Sequence, residues 1–332
     1  FGAMALSAYS VTGSVNAFAL AFICGAAGTI APFVGVFGTE KDTGSVRKVL
    51  RQALIKGGAL TGAVTLLCLI FPGQIARLFG MTSGDGLQMA QSAVRIFALS
   101  FPLALMNNIL ISLHLANGRT LLANVLTALR NFVLIAAFAL ALTGSMGVNG
   151  VWNSFWMAEA ATLLVAICWH LAVASKDKNL SPLTLLDEST EKNGSCISFT
   201  VSNSVESIME SVEKISAFCE DNELNMKKAM RVSLALEEML TSIKNHALGD
   251  NALLTMNVRI IILEGVVVLR IRNRGALFNP LAYYAAKKHG EDMNLEAALD
   301  LEDSLGIKMI VDACEVVDYR TTFGINNLTV IL

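Results

Sequence analysis

Charged side chains are scarce in this chain, at 16% of 332 residues, where soluble domains carry about 25%. With 54% hydrophobic residues, that scarcity excludes a chain lying wholly in water. The charges present are unevenly spread: residues 1–175 carry a net +5 and residues 176–332 a net −7. Two physically different domains therefore share one chain. Metal-ligand and redox spacings are lacking as well. Cys24, Cys68, Cys168, Cys196, Cys219 and Cys314 stand apart with no CxxC and read as reduced small hydrophobes, which suits a cytoplasmic setting. No basic n-region or cleavage site precedes the first apolar stretch, so it does not read as a signal peptide. Opening on Phe1 inside that stretch, the sequence reads as a piece cut from a longer chain.

What is present first is apolar sequence of membrane length. Five segments, at about 2–37, 46–80, 87–116, 120–144 and 149–174, are each long enough, at about 1.5 Å per residue, to cross a lipid bilayer core about 30 Å thick. The first two exceed that need and are expected to tilt or protrude. Pro32, Pro72 and Pro102, with many glycines, predict kinked and closely packed helices. The loops alternate in charge. Lys41, Arg47, Lys48 and Arg51 follow the first segment, Arg119 the third, and Lys176 and Lys178 the fifth, whereas "GMTSGDG" and "TGSMGVNG" hold no basic residue. Basic loops stay on the cytoplasmic side. This predicts a multi-pass protein of the inner (plasma) membrane with its acidic tail in the cytoplasm.

Ionisable residues inside apolar spans mark transport pathways. Arg77 and Arg95 lie towards the outer ends of their segments and read as interfacial. Arg130 and Glu159 lie deeper and are the transport candidates; by depth they either pair with each other or line a cavity. Asn107, Asn108, Asn124, Asn131 and Asn153 either line a polar path or bond across helices.

The run "GTIAPFVGVFGTEKDTGSVRKVLRQAL" resembles the P-x-x-G-x-x-x-G-x-x-D loop and basic helix of the multidrug and toxic compound extrusion (MATE) transporters. "LANGRTLLANVLTALRNFVL" and "GVNGVWNSFWMAEAATLL" resemble the last helices of that family's second lobe. The likeness covers about residues 1–175. It implies helices eight to twelve of a twelve-helix, two-lobe exporter whose cation-binding acid sits in the first lobe, so that residue has no counterpart here. It also implies an organic cation or drug-like solute as cargo and Na⁺ or H⁺ as the coupling ion.

Residues 176–194 are polar and read as a linker. Beyond it "CISFTV" alternates as a strand, and Asn203 with Glu206 predicts a capping box. The helix that follows is expected to bury Val205, Ile208, Met209, Val212, Ile215 and Cys219. A second helix, over about 225–247, is expected to bury Met226, Met230, Leu236, Met239, Leu240 and Ile243. Two strand runs turn at Glu264-Gly265, and a helix and two strands close the chain. The fold class expected is a membrane all-α bundle of about five transmembrane helices, followed over 195–332 by a cytoplasmic α+β two-layer sandwich.

"LALEEMLTSIKNHA" resembles the E-x-x-x-N-x-x-x-H/Y box of the GHKL ATPase superfamily, in particular the anti-sigma-factor serine kinases. "IRNRGALFNPL" resembles their D-x-G-x-x-F-D/N-P-L box, and "DSLGIKMIVDACEVVDYRTTFGINNLTV" their G-x-L-G helix and closing strands. The resemblance implies ATP and Mg²⁺ as cofactors, Glu238 as the catalytic acid that activates the attacking group, and Ser242, Asn273, Gly275 and Gly306 at the nucleotide. It also implies a STAS-domain partner carrying the phosphorylated serine. Ser242 stands where the family has the Mg²⁺-holding Asn, and its shorter hydroxyl needs a water to reach the ion. Asn273 stands where an Asp reads the adenine amino group, and accepts that bond less strongly than a carboxylate. Asp303 and Ser304 fill usual glycine positions. Asn245 and His246 are expected to cap the helix end. Arg270, Arg272 and Arg274 read as a solvated edge, and with a net −7 and no aromatic platform the domain binds no nucleic acid. The functional expectation is a cation-coupled exporter with a regulatory nucleotide-binding-like domain, or alternatively a membrane-anchored serine kinase.

Overall fold

The computed structural model describes residues 2–82, 84–288, 306–322 and 324–332. The chain forms two compact units, Phe1–Glu188 and Ser189–Leu332.

In the first unit the prolines set the breaks. The first apolar run folds as α1 (Gly2–Gly28) and α2 (Ile30–Thr39). Pro32 has no N–H to offer the carbonyl of Gly28 and its ring crowds that carbonyl, so the helix is interrupted at Thr29. After α3 (Thr43–Ile70), which Asp42 caps by accepting from the Ser45 N–H at 3.0 Å, Pro72 does not bend a single long helix. It ends α3 at Phe71 and opens the short α4 (Pro72–Leu78), so the second span stops at Ile70 rather than near residue 80. Pro102 repeats the first case: α5 (Gly84–Ala98) and α6 (Ser100–Ala116) part at Leu99, three residues before it. Then come α7 (Thr120–Ala128), a wide π-helical turn at Leu129–Val133, α8 (Leu134–Met146) and α9 (Val148–Ala174).

Five of these stretches are long and apolar enough to cross a membrane: Gly2–Thr39, Thr43–Ile70, Gly84–Ala116, Thr120–Met146 and Val148–Ala174. Their core gathers Ile23, Ile30, Val34, Phe97, Phe101 and Leu113. Gly57 lets α3 approach α1 closely, since a Cβ there would stand 2.6 Å from that of Ala26. α8 buries no residue, and Leu121, Phe132 and Leu140 are exposed, as expected of a helix whose partner is lipid. Arg77 and Arg95 are both exposed. After α9 the chain folds back on its own unit. Leu180 bridges Asp187, Leu186 enters the helical core, Lys41 pairs with Asp187 at 3.3 Å, and Arg47 pairs with Glu188.

The second unit runs α10 (Ser189–Asn193), β1 (Ser195–Ser202), α11 (Val205–Asp221), α12 (Met226–Ile243), a π-helical turn at Lys244–Leu248, β2 (Thr255–Leu263), β3 (Val266–Asn273), α13 (Pro280–Lys288), α14 (306–313), β4 (Val316–Thr322) and β5 (Ile325–Ile331). The sheet order is β1-β2-β3-β5-β4, antiparallel at every pairing. β2 and β3 turn at Glu264 and Gly265, both at positive φ (50° and 79°), the twist that a two-residue hairpin needs. Ile208, Ile215, Leu236 and Met239 from the helices pack on Val258, Ile260, Leu269, Ile271 and Leu328 of the sheet.

Several expectations are corrected. Ser204, not Asn203, caps α11, accepting from Ser207 N–H at 3.2 Å; Asn203 instead donates to the carbonyls of Gly249 and Asn251. Val205, Met209, Met226 and Met230 are exposed, because they lie off the buried stripes, which run through Ile208, Ser211, Ile215 and Cys219 on α11 and through Val232, Ala235, Leu236, Met239 and Ile243 on α12. Arg272 is not on a solvated edge: it is 6% exposed, and Arg259 on the same sheet face is 4% exposed, its Nη2 lying 3.5 Å from Glu191. All six cysteines are free. Burial raises the Cys219 thiol and lifts Cys314 to about 11, which leaves them poor nucleophiles at neutral pH.

Candidate functional site

In the second unit the site is assembled from the end of α12, the end of β3 and the start of α14. α12 presents Glu238, and one turn later Ser242, which is 1% exposed. The Glu238 carboxylate lies directly against Gly306: a Cβ at that glycine would fall 2.1 Å from Oε2. Gly306 is thus a matter of room. Gly306→Ala should expel the carboxylate and weaken whatever Glu238 holds by tenfold or more, about 1.4 kcal/mol, read by nucleotide titration. An unchanged titration would show that Glu238 takes no part in binding.

The π-helical turn then carries Asn245 and His246. The His246 ring stacks on Phe278 (centroids 4.7 Å apart, planes at 22°) and meets Tyr283, also at 4.7 Å. The same turn locks to the loop after β3, with Ala276 N–H donating to the Ala247 carbonyl at 2.7 Å. A Cβ at Gly275 would stand 2.3 Å from that carbonyl, so only glycine fits there.

Asn273 ends β3 with 5% exposure. Its Oδ1 accepts from the Gly275 N–H at 2.9 Å and from Asn326 Nδ2 at 3.0 Å. Asn326 is its cross-strand partner on β5, and its orientation is fixed because the same nitrogen also donates to the Ala276 carbonyl at 2.9 Å, while Tyr319 Oη donates to its Oδ1 at 3.0 Å. A carbonyl oxygen has two lone pairs, so the Asn273 oxygen is filled. What stays open is Nδ2, a donor with no partner among the described residues. The adenine amino group is also a donor, which reverses the role expected from the sequence. Asn326, which the sequence reading passed over, is one of two adjacent buried asparagines, with Asn327, at the start of β5.

The metal fares worse. Among the described residues no group of three His, Cys, Asp or Glu is placed to hold an ion, and the residue one turn after Glu238 offers a buried Ser242 hydroxyl in place of an amide oxygen. Mg²⁺ requires a near-octahedral set of hard oxygens, and this donor set does not fit it. Asp303 and Ser304 lie outside the described residues.

In the helical unit the two transport candidates are brought together. The π-helical turn carries Arg130, and its guanidinium meets Glu159 of α9 through Nη2 at 2.5 Å and Nε at 3.0 and 3.1 Å. Asn107 of α6 donates to the same carboxylate at 2.7 Å and to the Glu159 carbonyl at 2.9 Å. Arg130 is 7% and Glu159 8% exposed, so three stretches of the bundle are joined by one buried charge pair. Asn108 and Asn153 bond within their own helices, and Asn124 and Asn131 are exposed. A second polar contact, absent from the sequence reading, joins His114 and His170 at 2.8 Å between Nε2 atoms. His170 Nδ1 lies 2.8 Å from the Leu183 carbonyl and must carry the proton, so in a neutral pair His114 Nε2 donates to His170 Nε2. The available signal was two of the chain's four histidines falling near the ends of apolar segments.

Residues 1–140 match the MatE family model, and residues 201–332 match the family model described as Histidine kinase-like ATPase domain. A search of curated proteins finds no match. The chain therefore combines a MatE segment, carried on membrane-length apolar helices, with a histidine kinase-like ATPase domain built on an antiparallel sheet. The two matches, each over less than half of the chain, support a transporter-type membrane segment and an ATPase-like domain.

Proposed function

We propose that the helical unit exports organic cations or drug-like solutes in exchange for Na⁺ or H⁺ across the inner membrane, and that the ATPase-like unit lies in the cytoplasm and regulates this exchange by binding rather than by turnover. The observation that carries the transport reading is the buried Glu159 held between Arg130 and Asn107. A carboxylate among apolar spans is costly unless it serves a pathway or a partner exchange. The test is cation-driven flux of a fluorescent organic cation in proteoliposomes of the intact protein. Flux that follows an imposed Na⁺ or H⁺ gradient and falls at least tenfold in Glu159→Gln is expected; no gradient-dependent flux would remove the reading.

The regulatory reading of the second unit is supported by its altered contacts. The Asn273 oxygen is occupied and Ser242 is buried, so nucleotide is held weakly. The exposed Met226 and Met230 flank a groove between α11 and α12, a surface suited to a protein partner such as a STAS domain. A second reading, a membrane-anchored serine kinase acting on that partner, is favoured by one feature, the Glu238 carboxylate seated against Gly306. ATP-dependent phosphoserine on a STAS-domain substrate, lost in Glu238→Gln, would establish it.

A further inference from the structure

At the basic end of the helical unit, a cavity of about 170 Å³ lies between the α2–α3 loop, the α6–α7 loop and the segment folded back after α9. Its polar walls are Lys41, Asp42, Thr43, Asn117, Arg119 and Asp187, and Leu185 and Leu186 close one side. A water occupies about 30 Å³ of liquid, so the space admits a larger guest.

Three hydrogen-bonding atoms on these walls are buried with no partner among the described residues: Thr43 Oγ1, Asn117 Nδ2 and Arg119 Nη1. Thr43 is only 3% exposed. The Asn117 amide places its Oδ1 towards Gly38, where a Cβ would meet it at 3.1 Å, which leaves Nδ2 on the other side. Buried polar atoms are nearly always satisfied, and each orphan is a cost that a ligand removes.

The four charged walls sum to zero, but they are not all paired. Lys41 is paired with Asp187 at 3.3 Å, and Asp42 is turned into the cap of α3, where it accepts from Ser45. Arg119 has no carboxylate partner among the described residues, and burial lowers its pKa, as for a cation short of solvation. The guest that pairs with that guanidinium is an anion, held off Asp42 and Asp187 on the other walls.

We propose that this cavity binds a phosphate-type oxyanion, supplied either by the headgroup of an anionic lipid or by free phosphate. The guanidinium edge, the amide nitrogen and the threonine hydroxyl are the donors that such a group requires, and an arginine fork suits its geometry.

The test uses the whole chain in nanodiscs. In phosphatidylcholine alone, thermal unfolding is followed while inorganic phosphate is added at constant ionic strength, with acetate as the control anion. In phosphatidylcholine doped with phosphatidic acid, native mass spectrometry counts retained acidic lipid and the phosphate titration is repeated. Stabilisation by phosphate but not acetate is expected, and it should vanish where phosphatidic acid is retained, if both compete for one site. Retention of phosphatidic acid with no response to phosphate assigns the site to the headgroup, and the converse to a soluble anion. Arg119→Gln should weaken whichever binds about tenfold or more, and Arg119→Lys less. Thr43→Val, nearly the same shape, should weaken binding severalfold without loss of stability, which keeps the test valid should Arg119→Gln fail to fold. No preference over acetate in either lipid, or binding unchanged in both Arg119→Gln and Thr43→Val, would overturn the site.

Discussion

Replacing Arg130 alone by leucine is expected to destabilise the helical unit by about 3–5 kcal/mol, and Glu159→Leu by more, while the double substitution costs far less than the sum. The reason is the setting. Each charge is nine-tenths buried, and its partner supplies most of its solvation through contacts of 2.5–3.1 Å. Removing one leaves the other stranded in a medium that screens poorly, whereas removing both leaves two apolar side chains among apolar neighbours. Asn107 would lose its side-chain acceptor in any variant lacking Glu159, so Glu159→Leu should be the more damaging single change. Denaturant unfolding in detergent across the four proteins of the cycle measures this. Additive single effects would mean that the pair is not coupled, and would leave the close approach of α9 to the π-helical turn without energetic consequence.

The second large effect concerns nucleotide. Asn273→Asp should raise ATP affinity about tenfold, the size of one charge-assisted hydrogen bond of about 1.4 kcal/mol. A carboxylate has enough lone pairs to keep the Gly275 and Asn326 donors and still accept from the adenine amino group, which the Asn273 amide meets donor to donor. The same substitution should create a preference for ATP over GTP that the native chain lacks, since a 6-oxo purine presents an acceptor to the amide nitrogen. Parallel titrations with ATP and GTP read both. If Asn273→Asp leaves both affinities unchanged, the base does not reach the end of β3.

The features legible in the sequence are those with a period or a length. Spans follow from about 20 apolar residues, and the sandwich from alternating strands and amphipathic helices, so five membrane-length helices and an antiparallel sheet were expected and are found. What escaped depends on neighbours distant in sequence. Arg272 reads as a strand-edge cation until the sheet places it beside Asn257 and Asn327. Met226 and Met230 are apolar and lie on α12, yet they stand more than a quarter-turn round the helix from the centre of the stripe that is buried. The two π-helical turns have no local signature, although each carries a residue that the sequence singled out, Arg130 and His246. Arg130 and Glu159 were found by depth alone, and their pairing was one of two alternatives that only the bundle decides. Proline breaks were legible in kind but not in consequence, since Pro72 ends α3 outright where a kink was expected.

The most direct test of a transporter-type membrane unit governed by nucleotide binding without turnover is phosphate release. Purified intact protein in nanodiscs is given radiolabelled ATP under multiple-turnover conditions, beside Glu238→Gln. The expected result is binding without release above the level of that variant. Sustained release that Glu238→Gln abolishes would contradict it and make the second unit a working ATPase.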